Sequence, residues 1–355
     1  VKKANIESVD PSVSGGSDSN IFGMNFTAEE SNVVLLPMPW EATVSYGRGT
    51  SKGPEAVRRA SPQLDFFDAE FAEVGLSRPW EFGIHLLPGL PELASLHKKV
   101  LSSGRAVVDA GGTHTKKLAS LAASVNEASF RANGIAKAEA LKWLAQGKIV
   151  GFVGGDHSTA FGNIAACSER FPGLGVLHVD AHADLRQGYL GFEFAHASIM
   201  NNVVRKIEGV SHLVQVGIRD FSEEEHSMAT THPKIKTWFD YVLRRNIFGG
   251  STWIQQVREI LNGLPQNVYV SFDIDGLDPS LCPHTGTPVA GGLSFAEACF
   301  LIAELAKSGR RIVGFDVNEV APNPRNAADE WDGNVGARIL YKLCGASLYS
   351  QGART

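Results

Sequence analysis

The chain has 355 residues, 43% of them apolar and 20% charged, a globular balance with enough length for one large α/β domain or two small ones. Its formal charge of -5 is spread along the chain rather than blocked, which excludes the basic footprint of a nucleic-acid binder and the polybasic patch of a membrane-surface protein. No apolar run reaches the roughly 18 residues of a membrane span, the N-terminal stretch lacks a signal peptide's apolar core, and Cys167, Cys282, Cys299 and Cys344 form no CxxC pair, so a cytoplasmic chain without a zinc ribbon or disulfide framework is expected.

Residues 1–30 are rich in Ser, Gly, Asn and Asp and predict a polar N-terminal arm, with a single domain over 31–355. The first strand is expected at "VVLLP" (33–37). From about 80 to 145 the stretches "LPELASLHKKVL" and "THTKKLASLAASVNEASFRANGIAKAEALKWLAQG" are helix-prone and carry no strand signal, which predicts a helical insertion serving as a lid or an oligomer contact. Strand-like runs then recur at 148–155, 173–180, 212–220, 234–240, 267–275 and 311–320, nearly continuously apolar, as suits strands covered on both faces. Helical patterns separate them, such as "SFAEACFLIAELAKSG" (294–309), opened by an S-x-x-E box and closed by Gly309. This alternation predicts a doubly wound, parallel α/β sheet whose ligands sit beyond the carboxyl ends of the strands.

Four of the expected strands end in polar residues that packing does not explain. "GGDHS" places Asp156 and His157, "HVDAHADL" places Asp180, His182 and Asp184, "SFDIDGLDP" places Asp273, Asp275 and Asp278, and "FDVNEV" places Asp316 and Glu319. Asp180, His182 and Asp184 alternate with Ala, so an extended chain end projects them to one side. Such a trio alone also suits local turn capping. Two His and four Asp gathered in one poorly hydrated cleft, however, repel one another unless cations neutralise them. The set exceeds what one zinc needs and suits two Mn(II), with Ni(II), Co(II) or Fe(II) as alternatives. Bridging carboxylates would hold the ions ~3.5–4 Å apart around a water that is hydroxide near neutral pH. Phosphatases and aminopeptidases share such pairs, so the ligands alone do not name a substrate.

"GGDHS", "DAHAD" and "SFDIDGLDP", in this order and spacing, resemble the three signatures of the ureohydrolase family, which includes arginase, agmatinase, guanidinobutyrase and formimidoylglutamase. "VSYGRGTSKGPEAVRRAS" is similar to the family's N-terminal segment and "DVNEVAP" to its last strand, so the likeness spans roughly 31–345. It implies a three-layer α/β/α fold with a mostly parallel central sheet of about eight strands, assembled as a homotrimer or homohexamer. It further implies that His157 and Asp184 hold one manganese and His182 and Asp275 the other, with Asp180 and Asp273 bridging. The bridging hydroxide would attack a guanidinium carbon and release urea and an amine. Glu319 would grip the guanidinium through paired charge-assisted hydrogen bonds, unless it is a surface carboxylate of the following loop. Asp184 would also orient the nucleophile and help protonate the departing amine. His196, in "EFAHASIM", falls where relatives have a proton shuttle, its other reading being a helix-starting histidine. His178 reads as a core residue or as a support for a ligand.

Arginases resembling this chain carry an Asn, a Ser-Gly-Asn stretch and an Asp where it has Arg186, "GFEFA" and Ser222, which disfavours arginase. Formimidoylglutamases often have an arginine like Arg186 but usually replace the histidine kept here as His196. "DLRQGYLGFEFAHASIM" is most similar to an agmatinase loop, so the leading substrate is agmatine, giving putrescine. An inward Arg186 would suit guanidinobutyrate better. Asp220 and Trp331 are further substrate-binding candidates, Trp331 either as a ring over a planar cation such as free guanidine or as a core residue. A non-catalytic scaffold of the same fold would have lost ligands, and none is lost.

Overall fold

The computed structural model describes residues 1–6 and 19–355. Its centre is one sheet of eight strands, β1 (Val33–Met38), β2 (Ile84–Leu86), β3 (Ile149–Gly154), β4 (Leu174–Val179), β5 (Val210–Ile218), β6 (Ile235–Phe239), β7 (Asn267–Asp273) and β8 (Arg311–Asn318). They lie in the order β2-β1-β3-β8-β7-β4-β5-β6. Every neighbouring pair is parallel, and helices flank the sheet. β1, β3 and β4 are buried along their whole length, as their unbroken apolar runs require. Successive side chains serve opposite layers: Val33 and Leu35 join one apolar cluster, Val34 and Leu36 the other. Among the described residues no helix is long and apolar enough to cross a membrane.

Two stretches depart from expectation. The polar arm was expected over 1–30; residues 7–18 lie outside the described residues, but Ile21, Phe22, Met24 and Phe26 are buried in the main core, so from residue 19 the chain is part of the domain. Four apolar side chains suffice to anchor a segment whose average composition is polar. In the expected helical insertion, residues 84–86 form the edge strand β2, and helices Pro91–Asp109 and Lys116–Leu144 make the crossover to β3. Their buried Leu93, Leu96, Val100, Ala128, Ala132 and Ala136 pack in the same cluster as Val34 of β1 and Phe152 of β3. They are one covering layer of the sheet rather than a lid, because the small alanines let the long helix approach closely.

The strand order decides where the site lies. The chain leaves β3, crosses to β4, and later fills the gap with β7 and β8, so the four strands that end in polar residues are the contiguous centre β3-β8-β7-β4. Topological switch points of this kind open a crevice beyond the carboxyl ends. The glycine pair of "GGDHS" serves it: a Cβ on Gly154 would stand 1.8 Å from Asn318 Oδ1, and one on Gly155 1.9 Å from the Trp40 carbonyl oxygen. Only glycines let β3 close in on β8 and on the loop after β1.

Candidate metal centre

Each of the four central strands presents its polar residues within a turn of its end. His157 opens a single helical turn capped by Asp156, whose carboxylate accepts the Ser158 N–H. Asp180 and His182 follow β4, with Asp180 Oδ1 accepting the His182 N–H. Asp273 ends β7 and its Oδ1 accepts the Asp275 N–H, turning both carboxylates inward. Asp184 and Glu319 have φ of 52° and 63°. Left-handed backbone at residues other than glycine costs about 1–3 kcal/mol each and persists only where the surroundings enforce it.

The structure brings the six expected ligands together in two overlapping groups. His157 Nδ1 lies 3.0 Å from Asp180 Oδ2, 3.1 Å from Asp273 Oδ2 and 3.3 Å from Asp184 Oδ2. His182 Nδ1 lies 3.1 Å from Asp275 Oδ2 and 3.5 Å from Asp180 Oδ1. Asp180 therefore offers one oxygen to each group. All but His182, about a quarter exposed, are buried.

The chemistry of this donor set fits a cation. Ser271 Oγ donates to Asp316 Oδ1 at 2.9 Å, so at 2.9 Å from His157 Nε2 it accepts that nitrogen's proton. His157 Nδ1 is thereby left facing three carboxylate oxygens, and a single proton there cannot satisfy all three. Electrostatics agree: burial and the neighbouring Asp180 push Asp184 up to about 7, and burial with Asp275 and Asp180 drives Asp273 well above the carboxylate range. Asp180 goes the other way; burial opposes its charge, but His178, His157 and His182 more than offset this and keep it ionised. Burial likewise opposes charge on His182, yet Asp275 and Asp180 raise it to about 12. A dication would take the place of the protons these groups compete for.

Glu319 lies beside the cluster. Its Oε1 accepts the His157 N–H at 2.8 Å, its backbone N–H donates to Gly155, and Thr285 Oγ1 donates to its carbonyl at 2.8 Å. Its other oxygen faces Gly286, where a Cβ would stand 3.3 Å away. Burial and Asp156 push the Glu319 carboxyl well above its usual range. His196 has Ser45 Oγ 3.3 Å from Nε2 and Thr43 Oγ1 3.5 Å from Nδ1, and burial with the charges on His182 and His157 lowers it to about 4, so it is neutral at pH 7.

The remaining candidates stand further out. Arg186 Nε is 3.4 Å from the buried Glu225, and its guanidinium lies over the Tyr189 ring, whose own partner is the His196 ring at 5.8 Å. Asp220 is exposed, 3.8 Å from His182 Nε2. Trp331 is half-exposed and its indole donates to the Ser280 carbonyl, pinning a turn. Asp278 accepts Ser280 N–H and Oγ–H in that same turn and contributes nothing to the cluster. Sequence reasoning did not single out Ser271 or Gln215, which sit inside apolar strands where only the register reveals their partners.

An all-parallel eight-stranded α/β sheet with a buried His/Asp cluster on its carboxyl edge defines the arginase-like hydrolases. A model of the Arginase family matches residues 31–345, and the chain belongs to that family, whose members are hydrolases acting on linear amidines. It is 32% identical over 326 residues to N(1)-aminopropylagmatine ureohydrolase of Thermus thermophilus, covering 92% of this chain and 94% of that one. It is 31% identical over 351 residues to agmatinase of Neisseria meningitidis, covering 95% and 94%. Its fold matches that of proclavaminate amidino hydrolase from Streptomyces clavuligerus with a TM-score of 0.71 at 20% identity, over 94% and 98% of the chains.

Proposed function

We propose that this protein hydrolyses a guanidino compound to urea and an amine in a site built on two divalent cations, with agmatine, giving putrescine, as the first substrate to test. The observation that carries this reading is the double convergence of donors around Asp180, one oxygen toward His157 and the other toward His182, with the free oxygen of Glu319 alongside. His157 and Asp184 would hold one cation and His182 and Asp275 the other, with Asp180 and Asp273 shared. Manganese suits this oxygen-rich set, and nickel and cobalt are the alternatives. Bound there, the cations would supply an activated water as nucleophile.

The protein's own groups do the rest. A guanidinium resists attack because its charge is spread over three nitrogens, and Glu319 would localise that charge by accepting N–H bonds on the oxygen facing Gly286. A Cβ at Gly286 would stand 3.3 Å from that oxygen, so a side chain there would crowd a cation bound to it. Water adds to the guanidinium carbon, the bond from that carbon to the substituted nitrogen breaks, and the nitrogen leaves as an amine with a proton delivered through Asp184. His196, neutral and clamped by Thr43 and Ser45, would carry the spare proton outward. Arg186 and Asp220, opposite in charge near the site, would select the substrate's tail, and Trp331 would act only by holding its turn.

Both named relatives act, by their names, on agmatine or an aminopropyl derivative of it, which supports the choice of first substrate. Guanidinobutyrate has its own support in Arg186, a partly exposed cation beside the loop that carries His196. An assay of urea release from agmatine, aminopropylagmatine, guanidinobutyrate, arginine and guanidine, and of formamide release from formimidoylglutamate, each with Mn(II) and Ni(II), tests the reading. Urea from agmatine is the expected result, and no product from any of the six with either metal sinks it. A trimeric or hexameric mass in solution is expected alongside.

A further inference from the structure

Beneath the candidate ligands a second row of polar side chains crosses the sheet. Thr237 on β6, Gln215 on β5, His178 on β4, Ser271 on β7 and Asp316 on β8 are register partners of one another on five adjacent parallel strands. Gln215, His178, Ser271 and Asp316 are fully buried, each between apolar neighbours in its strand. Buried polar groups persist where each is bonded, and here each is. Asp316 and Ser271 serve His157, as described above; the other three serve Asp180.

The hydrogen bonds of these three can be assigned. Gln215 Nε2 lies 2.7 Å from the Ala183 carbonyl, which can only accept, so the amide N–H₂ faces that side. The same nitrogen lies 3.0 Å from His178 Nδ1, and Gln215 Oε1 accepts from Thr237 Oγ1 at 2.8 Å. His178 Nδ1 is then an acceptor and the ring proton sits on Nε2, 2.8 Å from Asp180 Oδ2. With both ring nitrogens engaged, His178 is no ligand, although it lies among the candidate donors.

We infer that His178, locked in its Nε2–H tautomer by Gln215 and Thr237, is a positioning residue that sets Asp180 as the shared carboxylate of the metal pair. The His178 N–H holds one oxygen and the His182 backbone N–H holds the other, so Asp180 is fixed at both ends with its remaining lone pairs turned toward the two donor groups. An Asp180 left free to rotate would serve one ion at the expense of the other. The inference rests on the two-cation reading above and adds to it the origin of the bridge.

The test compares two buried glutamines given the same substitution. Gln215→Met removes the N–H donor to His178, and Gln256→Met removes a buried glutamine that bonds Leu243 and Asn246 far along the fold from this row. Manganese content and affinity are measured by equilibrium dialysis with elemental analysis, beside thermal denaturation of the metal-free proteins. Loss of a group that orients a metal ligand typically weakens binding ~10–100-fold. Gln215→Met should show such a loss, with turnover recovered at high manganese, while Gln256→Met should destabilise the fold and bind manganese as the wild type does. Thr237→Val, at the partly buried end of the row, should show the same loss in weaker form and stands in if Gln215→Met does not fold. Wild-type affinity in Gln215→Met or, failing its folding, in Thr237→Val overturns the inference. So does a His178→Asn variant that binds one ion while Gln215→Met binds two unchanged, since His178 would then be a ligand. A wild-type protein that takes up no divalent ion fails the metal reading itself, and this is seen before any variant is compared.

Discussion

Asp184→Asn should change stability in opposite directions with and without metal. Asp184 is buried, and its candidate ligand oxygen lies within 4.8 Å of that of Asp180. At an effective dielectric constant of ~20, two like charges at that separation repel by about 3.5 kcal/mol. Burial and this repulsion together raise the carboxyl from 3.8 to about 7 in the folded, metal-free protein, which corresponds to about 4 kcal/mol. Because its folded value is raised, Asp184 imposes no penalty below about pH 4 and the full penalty above about pH 7. The uncharged asparagine escapes it. Metal-free Asp184→Asn should thus be more stable than metal-free wild type by about 4 kcal/mol at pH 8 and by less than half of that at pH 5. With manganese in excess the order should reverse, since the wild type gains the binding energy of a full ligand set. Urea denaturation of chelator-treated and manganese-loaded proteins at the two pH values measures all four quantities. An Asn variant less stable than wild type without metal, or a difference that does not change with pH, would refute the argument that these carboxylates are crowded for a cation.

Three further outcomes are expected. Glu319→Gln keeps an oxygen for the His157 N–H but turns an N–H₂ toward Gly286, so kcat/KM should fall ~100-fold, or about 3 kcal/mol, while manganese content is unchanged; loss of metal would place Glu319 among the ligands instead. Asp332 holds His284 by its backbone N–H at 2.9 Å and its ring at 2.8 Å, and thereby steadies the 285–287 segment beside Glu319. Asp332→Asn should raise KM several-fold with kcat within about twofold, since losing one such bond costs about 1–2 kcal/mol; steady-state kinetics decide, and an unaltered KM removes the segment from substrate binding. Gly155→Ala forces a Cβ to within 1.9 Å of a carbonyl oxygen that belongs to the backbone and cannot rotate away, so it should destabilise the protein by about 3 kcal/mol and displace His157, read as a lower urea midpoint with lost metal affinity. A wild-type midpoint would show that the approach of β3 to Trp40 is not required.

Much of the site was legible because a polar residue at the end of an apolar run is a local signal. Asp180, His182 and Asp184 announce themselves within five residues, and the same contrast marks His157, Asp273, Asp275 and Glu319. The fold class followed from the alternation of strand and helix, and seven of eight strands stand where their apolar runs put them. What escaped had no local contrast. β2 is three residues long, too short for a pattern, and exists because β1 offers it a partner. Ile21, Phe22, Met24 and Phe26 were diluted by polar neighbours. Arg186 has its partner Glu225 on a distant helix, so its charge could not be weighed from the loop that carries it.

By itself the sequence determined the donor set, since His and Asp are covalently placed at the strand ends, and it determined that β1, β3 and β4 are buried, since their apolar runs leave no wet face. The tertiary structure alone decided which donors meet. β7 and β8 enter between β3 and β4 only when the sheet is assembled, and this insertion brings His157 to Asp273 and Asp180. It also decided that Gln215, a lone polar residue in an apolar run, faces His178 and not a gap. Register causes the difference: residues tens of positions apart become neighbours through backbone ladders whose alignment is set by packing of the whole sheet, and no short window of sequence contains that information.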